Sequence, residues 1–453
     1  MQFILGWFIF SAAAVFFAGS AYAQAPSSNL LEVVKASKGE EVQRLLDSGA
    51  DAHVVGLDGS TTLLWASYQD DLQMARTLLT AGVSVNQAND LGVTPLWAAS
   101  ENGSGSMTAL LLEAGADPNI TLLSGESPVM VAARAGSVEV VRQLALAGAD
   151  LDRRATRGQT ALMWAAAQEH APVVETLVEY GADVHIQSDS WAQYMAVPPH
   201  SRTKREIPHG ENTALMFASR VGDLASVRHL VSAGADVNDR DAWGMSATAV
   251  AAFGGHAAVV ETLLTHGADP NAFDAGVAPL HNAVMRNDTR MARALLERGA
   301  DANARLGTWT PVRRASRDFH YPAAFVGATP FWLASRFART EMMRLLVDFG
   351  ADPGFVHEVE FVADGVYDLK TERTTTLMAA LAMGGSPRFR SWAPYEDSGN
   401  AESRTLEAVA LAVDLGVDLN ATNANGRSAL DEAEARQYES VVIFLVDRGA
   451  GNP

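Results

Sequence analysis

Eleven histidines and 53 acidic side chains stand among 453 residues, numbers ample for acid–base or metal chemistry, but the spacing such chemistry needs is missing. No His-Glu-x-x-His run puts two imidazoles on one helix face, no glycine-rich loop is built to cradle phosphate, and no Gly-x-Ser-x-Gly elbow presents a nucleophile. The nearest approach to a ligand set is His200 with His209, near Asp189 and Glu206, and that spacing matches no metal's requirement. Cysteine is absent, which removes disulfides, thiolate metal sites and thiol nucleophiles together. Two other segments mix aromatic with basic side chains: Trp191, Tyr194, Arg202, Lys204 and Arg205 in one, Trp309, Arg313, Arg314, Arg317 and Tyr321 in the other. Surfaces that anchor another protein by a few rings and guanidinium groups have this composition.

A repeat sets the elements that position these segments. Gly-Ala-Asp occurs at Gly49, Gly115, Gly148, Gly181, Gly234, Gly267, Gly299 and Gly350, with looser copies at Gly82, Gly416 and Gly449, and from Gly49 to Gly181 the interval is 33 residues. A constant 21 residues before the closing glycine stands a second signature, as in Thr94-Pro95-Leu96-Trp97, Thr160-Ala161-Leu162-Met163 and Thr329-Pro330-Phe331-Trp332. A hydroxyl followed by proline suits a helix start, because the hydroxyl accepts an orphan amide and proline lacks the N–H that the first turn leaves unpaired. A second apolar run such as Val173-Val174-Glu175-Thr176-Leu177-Val178 has the stripe of a short amphipathic helix, and the glycine lets the chain leave it left-handed. Each period is therefore expected to be helix, turn, helix.

Two signatures at constant offset over many copies resemble the ankyrin repeat, whose length is 33 residues. The resemblance runs from Asn29 to Asn452 and gives about eleven units, starting near 28, 57, 90, 123, 156, 209, 242, 275, 325, 372 and 424. It implies an all-α solenoid of helix pairs with projecting hairpin fingers and a concave inner face used for contacts, and with the spacings of catalytic and metal-ligand motifs missing from the sequence, no enzymatic activity or cofactor is expected. The position that would line that face reads Tyr68, Glu101, Arg134, Ala167, Arg220, Phe253, Met285, Arg336 and Ala382. Arg134, Arg220 and Arg336 are candidates to meet carboxylates, since the guanidinium fork pairs bidentately. Trp65, Trp97, Trp164 and Trp332 are expected in the core between repeats.

Function is sought where the period breaks. The chain reads as repeats over 24–188, 209–306 and 325–453, with finger insertions at 189–208 and 307–324 and further insertions near 355–373 and 385–404. Around Asp364-Gly365 polar and apolar residues alternate, a hairpin signal. The partner-binding candidates are Trp191, Tyr194, Arg202, Arg205, Trp309, Arg313, Arg314 and Tyr321 with the three inner-face arginines. The expected partner is a protein. A metal- or cofactor-dependent site on His200, His209 and His320 is the rival of another class, and an effector secreted to act on a host protein is a third reading.

The net charge is −19, and the nine aspartates of the repeat turn account for part of it. An acidic body repels phosphate backbones and argues against nucleic acid. Residues 3–18 form an uncharged apolar stretch followed by Ala21-Tyr22-Ala23, small residues at −3 and −1 that suit signal-peptide cleavage after Ala23. With no later stretch able to span a bilayer, the expected destination is the periplasm or the medium, as for an exported bacterial ankyrin repeat protein.

Overall fold

The computed structural model describes residues 26–197, 200–309, 321–362, 369–384 and 401–451, without the side chains of 26–29, 195–197 and 200–205. The expected signal segment, residues 1–23, lies outside the described residues.

Each helix pair begins as the hydroxyl signature requires. Thr94 Oγ1 accepts the amide of Trp97 at 3.1 Å and Pro95 occupies the first turn; Thr61, Thr160, Thr213, Thr329 and Thr375 cap their helices in the same way. The pair ends at the closing glycine. Gly115 has φ +88°, and a Cβ added there would meet nothing within 4 Å, so glycine is required by backbone conformation and not by space.

The chain forms two compact bodies, one holding the described residues up to Asp189 with Gly210–Asp236, the other holding Ser190–His209 and the described residues from Val237 onward. In the first body the pairs are α1 (Pro26–Lys35) with α2 (Gly39–Asp47), α3 (Thr62–Tyr68) with α4 (Leu72–Thr80), α5 (Pro95–Glu101) with α6 (Gly105–Glu113), α7 (Pro128–Ala135) with α8 (Val138–Leu146), α9 (Ala161–Ala167) with α10 (Ala171–Glu179), and α11 (Ala214–Val221) with α12 (Leu224–Ser232). In the second they are α13 (Ala247–Gly254) with α14 (Ala257–Thr265), α15 (Pro279–Arg286) with α16 (Thr289–Glu297), α17 (Pro330–Arg336) with α18 (Thr340–Asp348), α19 (Thr376–Ala380) with α20 (Ala401–Asp414), and α21 (Ala429–Arg436) with α22 (Glu439–Asp447). Within each body the first helices pack side by side in one row and the second helices in another. Leu63, Leu96, Leu162 and Leu215, at one repeat position, are at most 1% exposed. This is an all-α ankyrin-type solenoid in which each unit buries its apolar face against its neighbours.

Hydrogen bonds between fingers lock the units in register. The aspartate of each turn accepts the amide two residues on, as Asp117 does from Asn119 at 2.8 Å. The asparagine at that second position reaches the next unit with both ends of its amide. Asn271 Nδ2 donates to Gly299 O at 2.8 Å while its Oδ1 accepts from Asp301 N at 2.7 Å. Asn86, Asn119 and Asn238 repeat the arrangement. Asn303 makes the same rung to Gly350 O and Asp352 N at 2.9 and 2.8 Å, across 47 and 49 residues of chain, so the second insertion does not interrupt the register of the stack.

The insertions differ in kind. The first is an antiparallel hairpin of β1 (Trp191–Val197) and β2 (His200–His209), paired from Trp191↔His209 to Ala196↔Lys204 with an irregularity before Val197. In the first body, Ser188 N donates to Asn212 O at 3.0 Å. Where the sequence suggests a loop at 189–208, the strands run to His209, because cross-strand pairing satisfies the backbone that a loop would leave to water. The expected hairpin near 355–373 is present as β3 (Val356–Val362) and β4 (Leu369–Thr375), with Asp364 and Gly365 outside the described residues. Residues 385–400 also lie outside them. Helix α20 starts at Ala401, so the last four residues expected in the 385–404 insertion are helical.

His281, which replaces the Trp or Met of the helix-start signature, is fully buried. Its Nδ1 accepts from Ala278 N at 3.1 Å, which makes Nε2 the protonated nitrogen that donates to Ala304 O at 3.0 Å. Burial pushes its pKa down from 6.5 to about 4, and burial likewise lowers that of His357.

Two outcomes follow. Asn271→Ala removes one rung and is expected to cost about 1 kcal/mol, the net worth of partly exposed hydrogen bonds, read as a lower urea midpoint with unchanged helical content; an unchanged midpoint would show the rungs to be incidental. His281 stays neutral in the fold and protonates when unfolded, so its contribution is complete above pH 6.5 and is lost as pH falls toward 4, up to about 3 kcal/mol. Urea melts between pH 7 and 4 are expected to show that loss in the parent chain and a flatter profile in His281→Leu. Identical profiles would contradict it.

Candidate functional site

Counting from the helix cap, the residues four and seven places on lie one above the other on a face of the first helix of each unit. In the first body these rows read Trp65, Ala98, Val131, Trp164, Phe217 and Tyr68, Glu101, Arg134, Ala167, Arg220. Trp65 and Trp164 are half-buried and Tyr68 is exposed, with the Tyr68 ring edge-on to Trp65 at 6.0 Å. Lys35 lies over Trp65 at 5.4 Å and Arg134 over Trp164 at 5.2 Å. The four tryptophans therefore divide. Trp97 and Trp332, three places after the cap, are 5% and 0% exposed, as expected of core, whereas Trp65 and Trp164, one place further, reach the inner face. That one-residue offset is the signal by which the sequence could have separated them.

Each inner-face arginine is held by its own chain. Arg134 Nη2 donates to Glu101 Oε1 at 3.1 Å. Arg220 Nη2 donates to Asn212 Oδ1 at 2.7 Å and lies 5.6 Å over Phe217. Arg336, in the second body, donates from Nε to Gly384 O at 3.0 Å, and burial and nearby Arg436 lower its pKa to about 10, still a cation at neutral pH. The three do not form one row of unengaged guanidinium groups. Glu126, which the sequence analysis did not single out, faces the same region from the foot of a finger. Burial raises the Glu101 and Glu126 carboxyls above the usual range, Arg134 pulls both back, and Glu101 raises Glu126 further.

The insertion residues fall into three groups. Tyr194 projects from β1 with 67% of its surface exposed, while Trp191 stacks on His209 at 4.4 Å and 15°. Trp309 packs with Trp243 on the buried Ile207, which ties the second insertion to the first hairpin inside the second body. Arg202 and Arg205 belong to β2, but their side chains, with Arg313 and Arg314, lie outside the described residues. Tyr321 requires a correction. Expected on a binding surface, it is 2% exposed and its hydroxyl donates to Asn282 Oδ1 at 2.8 Å; burial pushes its pKa well up. A short 3₁₀ turn at Ala323–Phe325 brings the chain back and sets Phe325 edge-on to Trp332 at 5.5 Å. In the second body, then, part of the inner face is covered by the chain's own insertion.

Among the described residues no three acidic or histidine side chains gather as a metal site, and no described helix is long and apolar enough to cross a membrane.

Comparison with known proteins follows the same lines. Models of ankyrin repeats match residues 30–122, 119–188 and 215–306, and a single-repeat model matches 326–357. The mitochondrial disaggregase of Bos taurus is 31% identical over 163 residues, 36% of this chain and 22% of that protein. The E3 ubiquitin-protein ligase KEG of Arabidopsis thaliana is 26% identical over 269 residues, 52% of this chain and 14% of that protein. The chain thus spans less than a quarter of these relatives' length. The human ASB11 ankyrin repeat domain aligns over 55% of this chain and all of its own, with 25% identity and a TM-score of 0.44. The matched repeats cover more than half of the sequence, and the chain belongs to the ankyrin repeat family.

Proposed function

We propose that this protein is an exported, non-enzymatic scaffold that holds a protein partner without covalent chemistry, using the inner face of the first body and, separately, the aromatic hairpin of the second. Ankyrin repeats are a protein–protein interaction fold, and the observation that supports this particular use is the contrast between the two inner faces. The first body leaves Tyr68 exposed and Trp65 and Trp164 partly in solvent at fixed repeat offsets, whereas the second buries Tyr321 and Phe325 of its own insertion there. Large rings held by a rigid stack, with polar groups between them, are what an interface needs for a few strong anchors. Tyr194 supplies a further exposed ring. Export is supported by the uncharged apolar stretch at 3–18 and the small residues before Gln24.

Affinity capture with the full chain and point variants tests the surface. Tyr68→Ala with Trp164→Ala is expected to weaken capture of a partner by about tenfold or more, the scale of losing interface anchors, and Tyr194→Ser to weaken it less. Far-UV circular dichroism and the melting midpoint serve as controls, since these side chains are at least partly in solvent. Undiminished capture by the double variant would refute the assignment. Export is checked on protein recovered from its native cells: a mature N-terminus at Gln24 in the periplasm or medium is expected, and a chain that keeps Met1 in the cytoplasm would contradict it.

A further inference from the structure

Glu126 stands directly before the cap Ser127, at the foot of its finger. Four other units place an apolar residue here, Val93, Met245, Val277 and Ala328, and where a unit places a polar one the same chain satisfies it. Gln159 accepts the Trp164 indole N–H at 3.2 Å, Asn212 accepts from Arg220 at 2.7 Å, and Thr374 accepts the Trp332 indole N–H at 3.2 Å. Glu126 is the exception: among the described residues its half-buried carboxylate has no hydrogen bond and no ion pair. Two donors hold the corresponding register. Arg134, at the offset from Glu126 that Arg220 has from Asn212, is drawn instead to Glu101 of the preceding unit. Trp97 stands to Glu126 as Trp332 stands to Thr374, yet its indole nitrogen is buried without an acceptor while the residue is only 5% exposed.

Two carboxylates therefore share one guanidinium, leaving a deficit of one positive charge in a half-buried setting, where unpaired charge is costly. Between the rings of Trp65 and Tyr68 on one side and Trp164 on the other, the row holds only Ala98 and Val131, 3% and 0% exposed, so short side chains floor the space. The flanking rings already take cations on their faces, Lys35 at Trp65 and Arg134 at Trp164. An anionic group would meet two carboxylates there, and a neutral one would leave the deficit.

Building on the inner-face reading above, we infer that Glu126, with Glu101, receives a basic side chain, lysine or arginine, from a bound polypeptide segment. The incoming cation supplies the donor that Glu126 lacks and balances the pair shared by Arg134. The flanking rings pack against its aliphatic stem.

Selection of a random displayed peptide library on the full-length protein tests this, followed by affinity measurements on the enriched peptides. Enriched peptides are expected to share a lysine or arginine, to bind the parent at least about tenfold more tightly than Glu126→Gln, the worth of one charge-assisted hydrogen bond, and to lose a similar factor when that residue is replaced by norleucine. Glu126→Gln is expected to melt at the same or a higher temperature, since it removes an uncompensated carboxylate; a lower midpoint would mean that Glu126 serves to hold Arg134, and would overturn the inference. Peptides that need Tyr68 and Trp164 but are indifferent to Glu126→Gln would overturn it too, leaving the inner-face surface standing. Failure to enrich any peptide would count against both.

Discussion

The contact between one helix pair and the next is the constraint on which the rest of this molecule depends. No pair of seven- and nine-residue helices such as α5 with α6 can bury its apolar face alone, and short helices are marginal in isolation. Stacking supplies the missing partner on both sides, and the asparagine rungs fix the register of that stack by tying the carbonyl and amide of one turn to the side chain of the previous one. The rung from Asn303 to Gly350 and Asp352 shows how strictly this spacing is kept. The chain between them carries a whole insertion, yet the two ends meet with the geometry found where the interval is an ordinary repeat.

A stack built this way separates stability from recognition. The buried leucines, the caps and the rungs recur because each interface needs them, while the residues four and seven places after the cap are free to vary from unit to unit. In the first body that freedom is used to place rings, carboxylates and a guanidinium on a solvent-facing surface. In the second body Tyr321 takes the comparable space and donates to Asn282, so that the chain completes its own core there. Identical scaffolding thus yields one face that is presented and one that is partly closed.

Periodicity made most of the fold legible. The Gly-Ala-Asp spacing and the hydroxyl-capped starts located eleven helix pairs, because caps and closing glycines act locally and leave their residue types in the sequence. The β3–β4 hairpin was legible from alternation, whereas β1–β2 was not, since Trp191-Ala192-Gln193-Tyr194 does not alternate cleanly and its basic strand resembles a solvated loop. The surface was read less well for a related reason. Exposure of Trp164 against burial of Trp97 depends on a single residue of register, and the burial of Tyr321 depends on a chain reversal with no local signature. Glu126 escaped notice because a lone glutamate at a finger base looks solvated until its neighbours' hydrogen bonds are known.

Hydroxyl-radical footprinting of the intact, unliganded protein tests the central contrast between the two inner faces most directly. The account predicts rapid modification of Tyr68, with Trp65 and Trp164 also reacting, and strong protection of Tyr321, Phe325 and Trp332. Modification of Tyr321 as fast as that of Tyr68 would contradict it.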